Sequence, residues 1–328
     1  MVALFKDRSP AAIIWLFILS FIVHSHFLVE PPKVLAIEDN GLISVVLNRF
    51  ASAINPQIAI FLYHAIVLLQ ALRLNYLFSD NQMFSRANYL TAMVYILLTG
   101  VFAAWGNITP ALIANSMVIW FFAGAVRLSG NPNPKGLIFN IGLITGASVL
   151  LYHPSAILIL LGIFALLIVR PFFIAEWIIL LMGAIAPFYF LFSYLYLTDQ
   201  LNRLRQFVPQ WRFGLPHIQP SVLFFITLAA IVIILVTGIS YWRKENRRLI
   251  IQVRENWIVF QVMLLLMLPL PFISKNSDID ILLLFIVPFS PFMAKGFLAP
   301  KKNTLPNIMF WCLIVLVVLN TWGGLIKY

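Results

Sequence analysis

Residues 30–56, EPPKVLAIEDNGLISVVLNRFASAINP, separate the first two long apolar runs, and the rest of the chain is organised around them. Only 10% of all residues are charged, yet this stretch holds three carboxylates, Glu30, Glu38 and Asp39. We interpret it as an outer-face loop that would carry any chemistry. The alternative interpretation is that the acids only cap a helix and keep a loop hydrated.

The segment after the acids predicts an amphipathic helix. Its polar side chains fall on one helical stripe with Arg49 beside it, while apolar side chains fill the other faces. This pattern is typical of a helix that lies in the membrane interface with its polar stripe toward water. Asp39 or Asn40 could cap its N-terminus. The polar stripe consists of Ser44, Asn48 and Ser52.

The composition places the chain among membrane proteins. Hydrophobic residues make up 62% of it and the mean hydropathy is +0.96, whereas soluble domains are about 45 to 50% apolar. Spanning a bilayer takes about 17 to 25 apolar residues, and about eleven runs are candidates. We therefore expect an all-α, polytopic membrane protein in which residues 1–328 form a single integral membrane domain with about eleven transmembrane helices and one interfacial helix.

The first apolar run, from Pro10 to about Val29, follows Lys6 and Arg8 as a signal peptide would. It lacks a small-residue cleavage site, so we expect it to remain as the first span. Further along, the runs 137–151 and 155–169 are short and are separated by Tyr152, His153 and Pro154. They predict either two short spans or one broken pair.

The basic residues predict the orientation. With the N-terminus inside, fifteen of the 22 lysines and arginines fall on the inner side, many of them in the basic loop 243–256. The positive-inside rule then predicts a cytoplasmic N-terminus and a C-terminus on the opposite side. We expect the location to be the bacterial inner membrane, so that this opposite side is the periplasm. Because these charges lie at span ends, the net charge of +11 does not indicate nucleic acid. The basic residues expected outside are Lys33, Arg49, Arg203, Arg205, Arg212, Lys275 and Lys327.

Three outer segments could carry chemistry together: the first loop, residues 199–219 and residues 274–280. A carboxylate such as Asp39 or Glu38 can take a proton as general base. The arginines of the second segment can clamp a phosphate, and Asp278 and Asp280 could support the site. Two acid pairs could also hold a divalent cation through oxygen ligands. The predicted phosphate-binding residues are Arg203, Arg205 and Arg212.

Each of these interpretations has a structural alternative. The three arginines could contact only lipid headgroups. His153, ahead of Pro154 at a span junction, is expected to be a hydrogen-bonding residue at a helix end as well as a supporting site residue. Arg170 and Glu176 could pair with each other. The single cysteine, Cys312, excludes an intrachain disulfide and a cysteine metal cluster, and we expect it to be a buried structural thiol.

The layout resembles the membrane-embedded glycosyltransferases of the GT-C superfamily. The features that carry the resemblance are a first span, an outer loop with an acidic pair followed by glycine (IEDNG, residues 37–41) and an interfacial helix. Residues 142–197 are similar to that superfamily's short spans, arginine-containing turn and longer span. The resemblance implies a polyprenyl-phosphate-linked sugar as substrate, with Asp39 or Glu38 as the catalytic base.

The chain also departs from that pattern. Its acidic pair is Glu-Asp rather than Asp-Glu, its outer loops are small, and we expect no large soluble C-terminal domain. Its size and all-membrane layout are similar to a group of integral membrane proteins of Bacteroidota for which the group itself supplies no activity. The alternative function is therefore a non-enzymatic membrane subunit, or a lipid-binding or transport component of envelope assembly, with membrane lipids and membrane proteins as partners.

Overall fold

The computed structural model describes residues 1–35, 41–50, 54–209, 221–246, 249–273, 279–300 and 302–325. Within these ranges the regular structure is helical, and the β pairing is one isolated parallel bridge between Val34 and Ile108. The helices are α1 Ala3–Lys6, α2 Pro10–Val23, α3 Leu42–Phe50, α4 Pro56–Asp80, α5 Leu90–Thr99, α6 Pro110–Ala125, α7 Lys135–Leu151, α8 Ile157–Val169, α9 Ile174–Leu197, α10 Val222–Asn246, α11 Ile251–Met267, α12 Leu270–Ile273, α13 Ile286–Leu298 and α14 Thr304–Leu325.

The length and composition of these helices are those of a membrane protein. Among the residues that the structure describes, seven helical stretches are long and apolar enough to cross a bilayer: 56–80, 110–128, 174–197, 222–246, 251–273, 279–298 and 304–323. Four shorter apolar helical stretches, 10–23, 90–99, 135–151 and 153–169, accompany them. The prediction of an all-helical chain is confirmed over the described residues. Residues 137–169 lie in two helices, α7 and α8, joined by the 3-10 turn His153–Ala156.

Several helix starts follow from local sequence. Proline opens α2, α4 and α6, where its missing N–H would be unpaired in any case. Ahead of α4, the Asn55 side chain accepts a hydrogen bond from the Gln57 N–H at 3.2 Å. Ahead of α6, the Thr109 hydroxyl accepts one from the Leu112 N–H at 3.3 Å. Both caps satisfy a donor that the helix itself leaves free.

One end of the bundle gathers α1 with Lys6, Arg86, Lys244 and Lys295, which line one cavity, and we call it the basic face. Lys6 Nζ donates to Asn303 Oδ1 at 2.8 Å, which ties α1 to the start of α14. The Tyr89 N–H donates to the Phe5 carbonyl at 2.8 Å, which brings the start of α5 to the same end. Partial burial lowers the pKa of Lys6. The predicted pair of Arg170 and Glu176 is confirmed, with 3.0 Å between its nitrogen and oxygen.

The opposite end carries the first loop, and we call it the first-loop face. The indole N–H of Trp105, in the 3-10 segment Ala103–Gly106, donates to the Ile279 carbonyl at 3.0 Å. The indole N–H of Trp322, near the end of α14, donates to the Ser25 hydroxyl at 3.2 Å. The first contact joins the segment after α5 to the 3-10 segment Ile279–Phe285, and the second joins the end of α14 to the end of α2.

Helix α5 lies at the centre of the bundle. All ten of its residues are buried, and it packs against α2, α4 and α13. Ten residues of α-helix extend about 15 Å, half of the roughly 30 Å of a bilayer core. This helix is therefore enclosed by protein along its whole length.

Glycines bring two helix pairs into backbone contact. On α7, a Cβ at Gly146 would lie 2.1 Å from the Ala184 carbonyl oxygen of α9, and one at Gly142 would lie 2.3 Å from that of Leu180. On α10, a Cβ at Gly238 would lie 2.0 Å from the Phe292 carbonyl oxygen of α13. Small residues that let backbones approach are typical of helix pairs in membranes.

Two expectations from the sequence are wrong. Cys312 lies on an exposed side of α14 rather than in the core, because only the neighbouring Leu313 side of that helix faces the bundle. The basic loop 243–256 is largely helical. Helix α10 continues through Arg243 and Lys244 to Asn246, and α11 already begins at Ile251, since charged residues with good helix propensity extend both ends.

Candidate functional site

The first loop is fixed at its beginning to the start of α6. The Ile108 N–H donates to the Lys33 carbonyl at 2.9 Å, and the Leu35 N–H donates to the Ile108 carbonyl at 3.1 Å. The Asn107 side chain accepts a further bond from the Lys33 N–H at 3.0 Å. These bonds form the parallel bridge of Val34 with Ile108 and hold the loop entrance beside Trp105 and α6.

The loop is fixed again where it enters α3. Gly41 has a φ of +109°, and a Cβ there would lie 2.5 Å from the Leu151 carbonyl oxygen at the end of α7. Any other residue would be strained in this conformation and would collide with the backbone of α7. Glu38 and Asp39 lie in the sequence between this anchor and the Val34 bridge, outside the described residues.

Helix α3 packs on α6 and α7 in a way that the sequence did not predict. Ile43, Ser44 and Leu47 are buried, whereas Asn48 and Arg49 are exposed. The expectation that Ser44 faces water together with Asn48 is wrong, because the helix uses the Ile43 and Leu47 side to contact α6 and α7. The Ser44 hydroxyl is buried and has no hydrogen-bond partner among the described residues. Ser52 lies outside them.

Leu151, which Gly41 contacts, is followed by the 3-10 turn His153–Ala156. His153 begins this turn, and its side chain is buried. Ser155 on the same turn is fully buried, and within the described ranges its hydroxyl contacts no hydrogen-bonding group. This turn and α3 therefore place two buried hydroxyls, those of Ser44 and Ser155, near the end of α7. Ser44 belongs to α3, which follows the acidic pair in the sequence, whereas Ser155 belongs to the turn after α7.

The second predicted segment reaches the same end of α7. Arg203 is exposed on the 3-10 segment Leu201–Phe207, whose Leu204 and Phe207 pack in a small hydrophobic cluster. The other members of that cluster include Leu42 at the start of α3 and Leu150 at the end of α7. The arginine-bearing segment and the exit of the first loop are thus neighbours. Arg212 and the side chain of Arg205 lie outside the described part.

The third predicted segment is held elsewhere on the first-loop face. Asp280 is half-buried on Ile279–Phe285, which packs along α6. The Asn115 amide of α6 donates to the Leu283 carbonyl at 3.0 Å, and Trp105 holds the Ile279 carbonyl. Asp280 is therefore anchored beside the loop entrance, whereas Arg203 is anchored beside the loop exit. Asp278 lies outside the described residues.

A cluster of buried polar side chains at the first-loop face was not predicted from the sequence as a unit. The Ser20 hydroxyl lies 2.8 Å from His64 Nδ1, and His24 Nδ1 donates to the Ser20 carbonyl at 2.9 Å. The Tyr63 hydroxyl lies 3.2 Å from His24 Nε2 and donates to the Trp105 carbonyl at 2.9 Å. The two histidines and Tyr63 are all nearly or fully buried.

The cluster has fewer hydrogen-bond donors than acceptors. Neutral His24 supplies one N–H, which goes to the Ser20 carbonyl, and Tyr63 supplies one O–H. The Tyr63 hydrogen therefore faces two acceptors, the Trp105 carbonyl and His24 Nε2. The sequence signals for this cluster were His24 and His64, two histidines within largely apolar runs. Periodicity does not show which helix they face.

Within the described ranges, no group of three or more histidine, cysteine, aspartate or glutamate side chains is placed to hold a metal ion. Of the four carboxylates proposed as oxygen ligands for a divalent cation, Glu38, Asp39 and Asp278 fall outside those ranges, and Asp280 lies within them. Comparisons of the chain with protein-family models, curated proteins and solved structures find no match.

Proposed function

We propose that this protein crosses the bacterial inner membrane eleven times, with its N-terminus in the cytoplasm and its C-terminus in the periplasm. The seven long and four shorter apolar helical stretches support this count. Orientation is supported by the basic face, which carries the N-terminus together with Arg86, Lys244 and Lys295, as the positive-inside rule requires of a cytoplasmic side. The first-loop face is then periplasmic.

We further infer that the protein transfers a glycosyl unit from a polyprenyl-phosphate-linked donor at the first-loop face. One observation carries this proposal: the acid-bearing loop and the arginine-bearing segment are both anchored at the end of α7. Gly41 contacts Leu151, while Leu204 and Phe207 pack with Leu150. A transferase that uses a lipid phosphate needs a base and a phosphate clamp on one surface.

The reaction assigns a role to each predicted residue. Asp39 or Glu38 takes the proton of an acceptor hydroxyl, and the hydroxyl oxygen forms a bond to the anomeric carbon of the donor sugar. The bond between that carbon and the phosphate oxygen breaks, and polyprenyl phosphate leaves with the electron pair. Arg203, Arg205 and Arg212 stabilise the leaving phosphate with forked hydrogen bonds. Asp280, Asp278 and His153 support the site.

The test is turnover of lipid-linked sugar in membranes that contain the double variant Glu38→Gln with Asp39→Asn. Loss of a general base lowers the rate about 10²- to 10⁴-fold. Glu30→Gln is the matched control, because Glu30 is an exposed acid of the same loop that pairs with Lys33 at 3.2 Å. Turnover that is equal in the double variant and the control would reject the proposed base.

A second candidate function is a non-enzymatic membrane subunit, and the exposure of α9 favours it. Only 22% of an 18-residue apolar stretch of this helix is buried, and many of its apolar and aromatic residues, including Tyr189 and Phe190, are exposed. Such a surface suits lipid or a partner membrane protein. If purification from native membranes yields the wild-type chain in a stable complex and the acid variants support growth equally well, this second function is the correct one.

A further inference from the structure

We propose that the basic face binds a phosphate group in a cavity beside the end of α10. The cavity has a volume of about 850 Å³ and is lined by Ile239, Trp242, Arg243, Lys244, Asn246 and Gln261. It lies at the opposite end of the bundle from the first loop, so this inference is independent of the proposed transferase activity.

The charge of the lining points to an anion. Arg243 and Lys244 contribute two positive charges, and none of the lining residues that the structure describes is acidic. A neighbouring cavity of about 780 Å³ shares Lys244 but also contains Asp7 and Glu245. Glu245 already neutralises Lys295 there, at 2.6 Å. The neighbouring cavity also has a net charge of +2, from Lys6, Arg86, Lys244 and Lys295 against Asp7 and Glu245. The first cavity differs because its described lining has no carboxylate to compete with an anion such as phosphate for the two cations.

A buried donor in the lining lacks an acceptor. Trp242 is 4% exposed, and its Nε1–H makes no hydrogen bond to any described residue. Leaving a buried N–H unsatisfied is costly, so structures rarely do so without a ligand or water nearby. The ring itself is held by edge contact with Phe292 at 5.6 Å between centroids and by packing on Trp257. A phosphate oxygen would satisfy this donor.

Two amides complete a set of uncharged hydrogen-bonding groups. Asn246 has a buried side-chain oxygen with no partner in the described part of the chain, and its amide can present either the oxygen or the NH₂ group to a ligand. Gln261, from α11, faces the same cavity. Together the lining offers two cations, one indole donor and two amides to a single anion.

The phosphate could belong to an anionic phospholipid headgroup or to a soluble molecule. Ile239, one helical turn below the charged residues, provides apolar surface next to the cavity, and Val236 and Ile233 beyond it are exposed on the same helix. A headgroup could enter with its acyl chains along that surface. The chemistry shared by both sources is the phosphate group, and the experiment separates them.

The experiment is a binding titration on delipidated, detergent-purified full-length protein followed by native mass spectrometry. The probes are phosphatidylglycerol, phosphatidylcholine and inorganic phosphate, the last both alone and as a competitor. The test variants are Arg243→Gln with Lys244→Gln, which removes both charges, and Trp242→Phe, which keeps a ring but removes the orphan donor. The matched controls are Lys135→Gln, an exposed lysine of the same face, and Trp311→Phe, an exposed tryptophan.

We expect the Kd for phosphatidylglycerol or phosphate to rise at least tenfold in the charge variant and about three- to tenfold in Trp242→Phe, with both controls unchanged. Binding of phosphatidylglycerol without competition by phosphate identifies a headgroup, and competition identifies the phosphate group itself. The proposal is overturned if neither probe binds, if phosphatidylcholine binds equally well, or if the controls lose as much affinity. If the charge variant does not fold, the Kd of Trp242→Phe compared with that of Trp311→Phe tests the proposal by itself.

Discussion

Lys295 Nζ lies 2.6 Å from Glu245 Oε2, and this lysine is fully buried although its partner is one-third exposed. The ammonium group also lies over the rings of Phe84 and Trp257, at 5.0 and 5.4 Å from their centroids. Helix α13 thus carries a buried cation whose one carboxylate partner in the described chain comes from α10. The charge of Lys295 depends on that single contact and on two aromatic faces.

Glu245→Gln is therefore expected to destabilise the protein by about 2 to 3 kcal/mol, because it leaves a buried ammonium without its counter-charge. Lys295→Met is expected to cost less, since the partially exposed Glu245 can be hydrated while the methionine fills the space. The measurement is unfolding in mixed detergent, followed by circular dichroism. A larger loss in Lys295→Met than in Glu245→Gln would contradict this account of the pair.

Gly146→Ala is expected to separate α7 from α9. The added methyl group would meet the Ala184 carbonyl 2.1 Å away, and backbone cannot yield as a flexible side chain does. Overpacking of this kind costs about 1 to 3 kcal/mol. Gly136→Ala on the same helix is the matched control, since nothing lies within 4 Å of a Cβ there, and better helix propensity should leave it neutral or more stable. Equal melting temperatures for both variants would refute this account of the contact.

Tyr63→Phe should destabilise the first-loop face by about 1 to 2 kcal/mol, because it leaves the Trp105 carbonyl and His24 Nε2 buried without their shared donor. The control is Tyr189→Phe, which also removes a tyrosine hydroxyl, but from an exposed position on α9. It should have little effect on stability. Hydrogen exchange of residues 99–107 provides the local readout. Unchanged protection there in Tyr63→Phe would show that the hydroxyl does not hold this segment.

The orientation can be tested with the lone cysteine removed. In a Cys312→Ser background, Glu30→Cys places a thiol on the first-loop face and Asn133→Cys places one on the basic face, both at exposed positions. A membrane-impermeant maleimide should label the first in intact spheroplasts and the second only after permeabilisation. The reverse pattern would invert the proposed topology, and equal labelling of both would place the two loops on one side.

Much of the fold could be predicted from the sequence because the length of an apolar run indicates whether it can form a helix that spans a membrane. The starts of α4 and α6 follow from Pro56 and Pro110, and the Arg170–Glu176 pair from two charges near one helix end. The sequence could not show which way each helix is rotated. That rotation buries Ser44, exposes Cys312 and brings His24, Tyr63 and His64 together.

The candidate site was predictable only in outline. The sequence indicates three outer segments, and the structure adds where two of them are attached, at Gly41 and at Leu204 with Phe207. The structure also separates Asp280 from Arg203. The segment of Asp280 is held beside α6 by hydrogen bonds from Trp105 to the Ile279 carbonyl and from Asn115 to the Leu283 carbonyl. Such bonds between residues about 170 positions apart leave no local pattern.

The shortness of α5 determines which parts of the protein can move. Beyond Thr99 the chain leaves α-helical geometry while still inside the bundle, and it continues through the 3-10 segment Ala103–Gly106 to Thr109, where neighbouring helices bury most of its residues. If those neighbours parted, bare N–H and C=O groups would meet hydrocarbon at a cost of several kcal/mol each. We therefore expect the middle of the bundle to stay fixed relative to its neighbours. Movement of one helix against another would then involve outer helices such as α9, which packs mainly against α7.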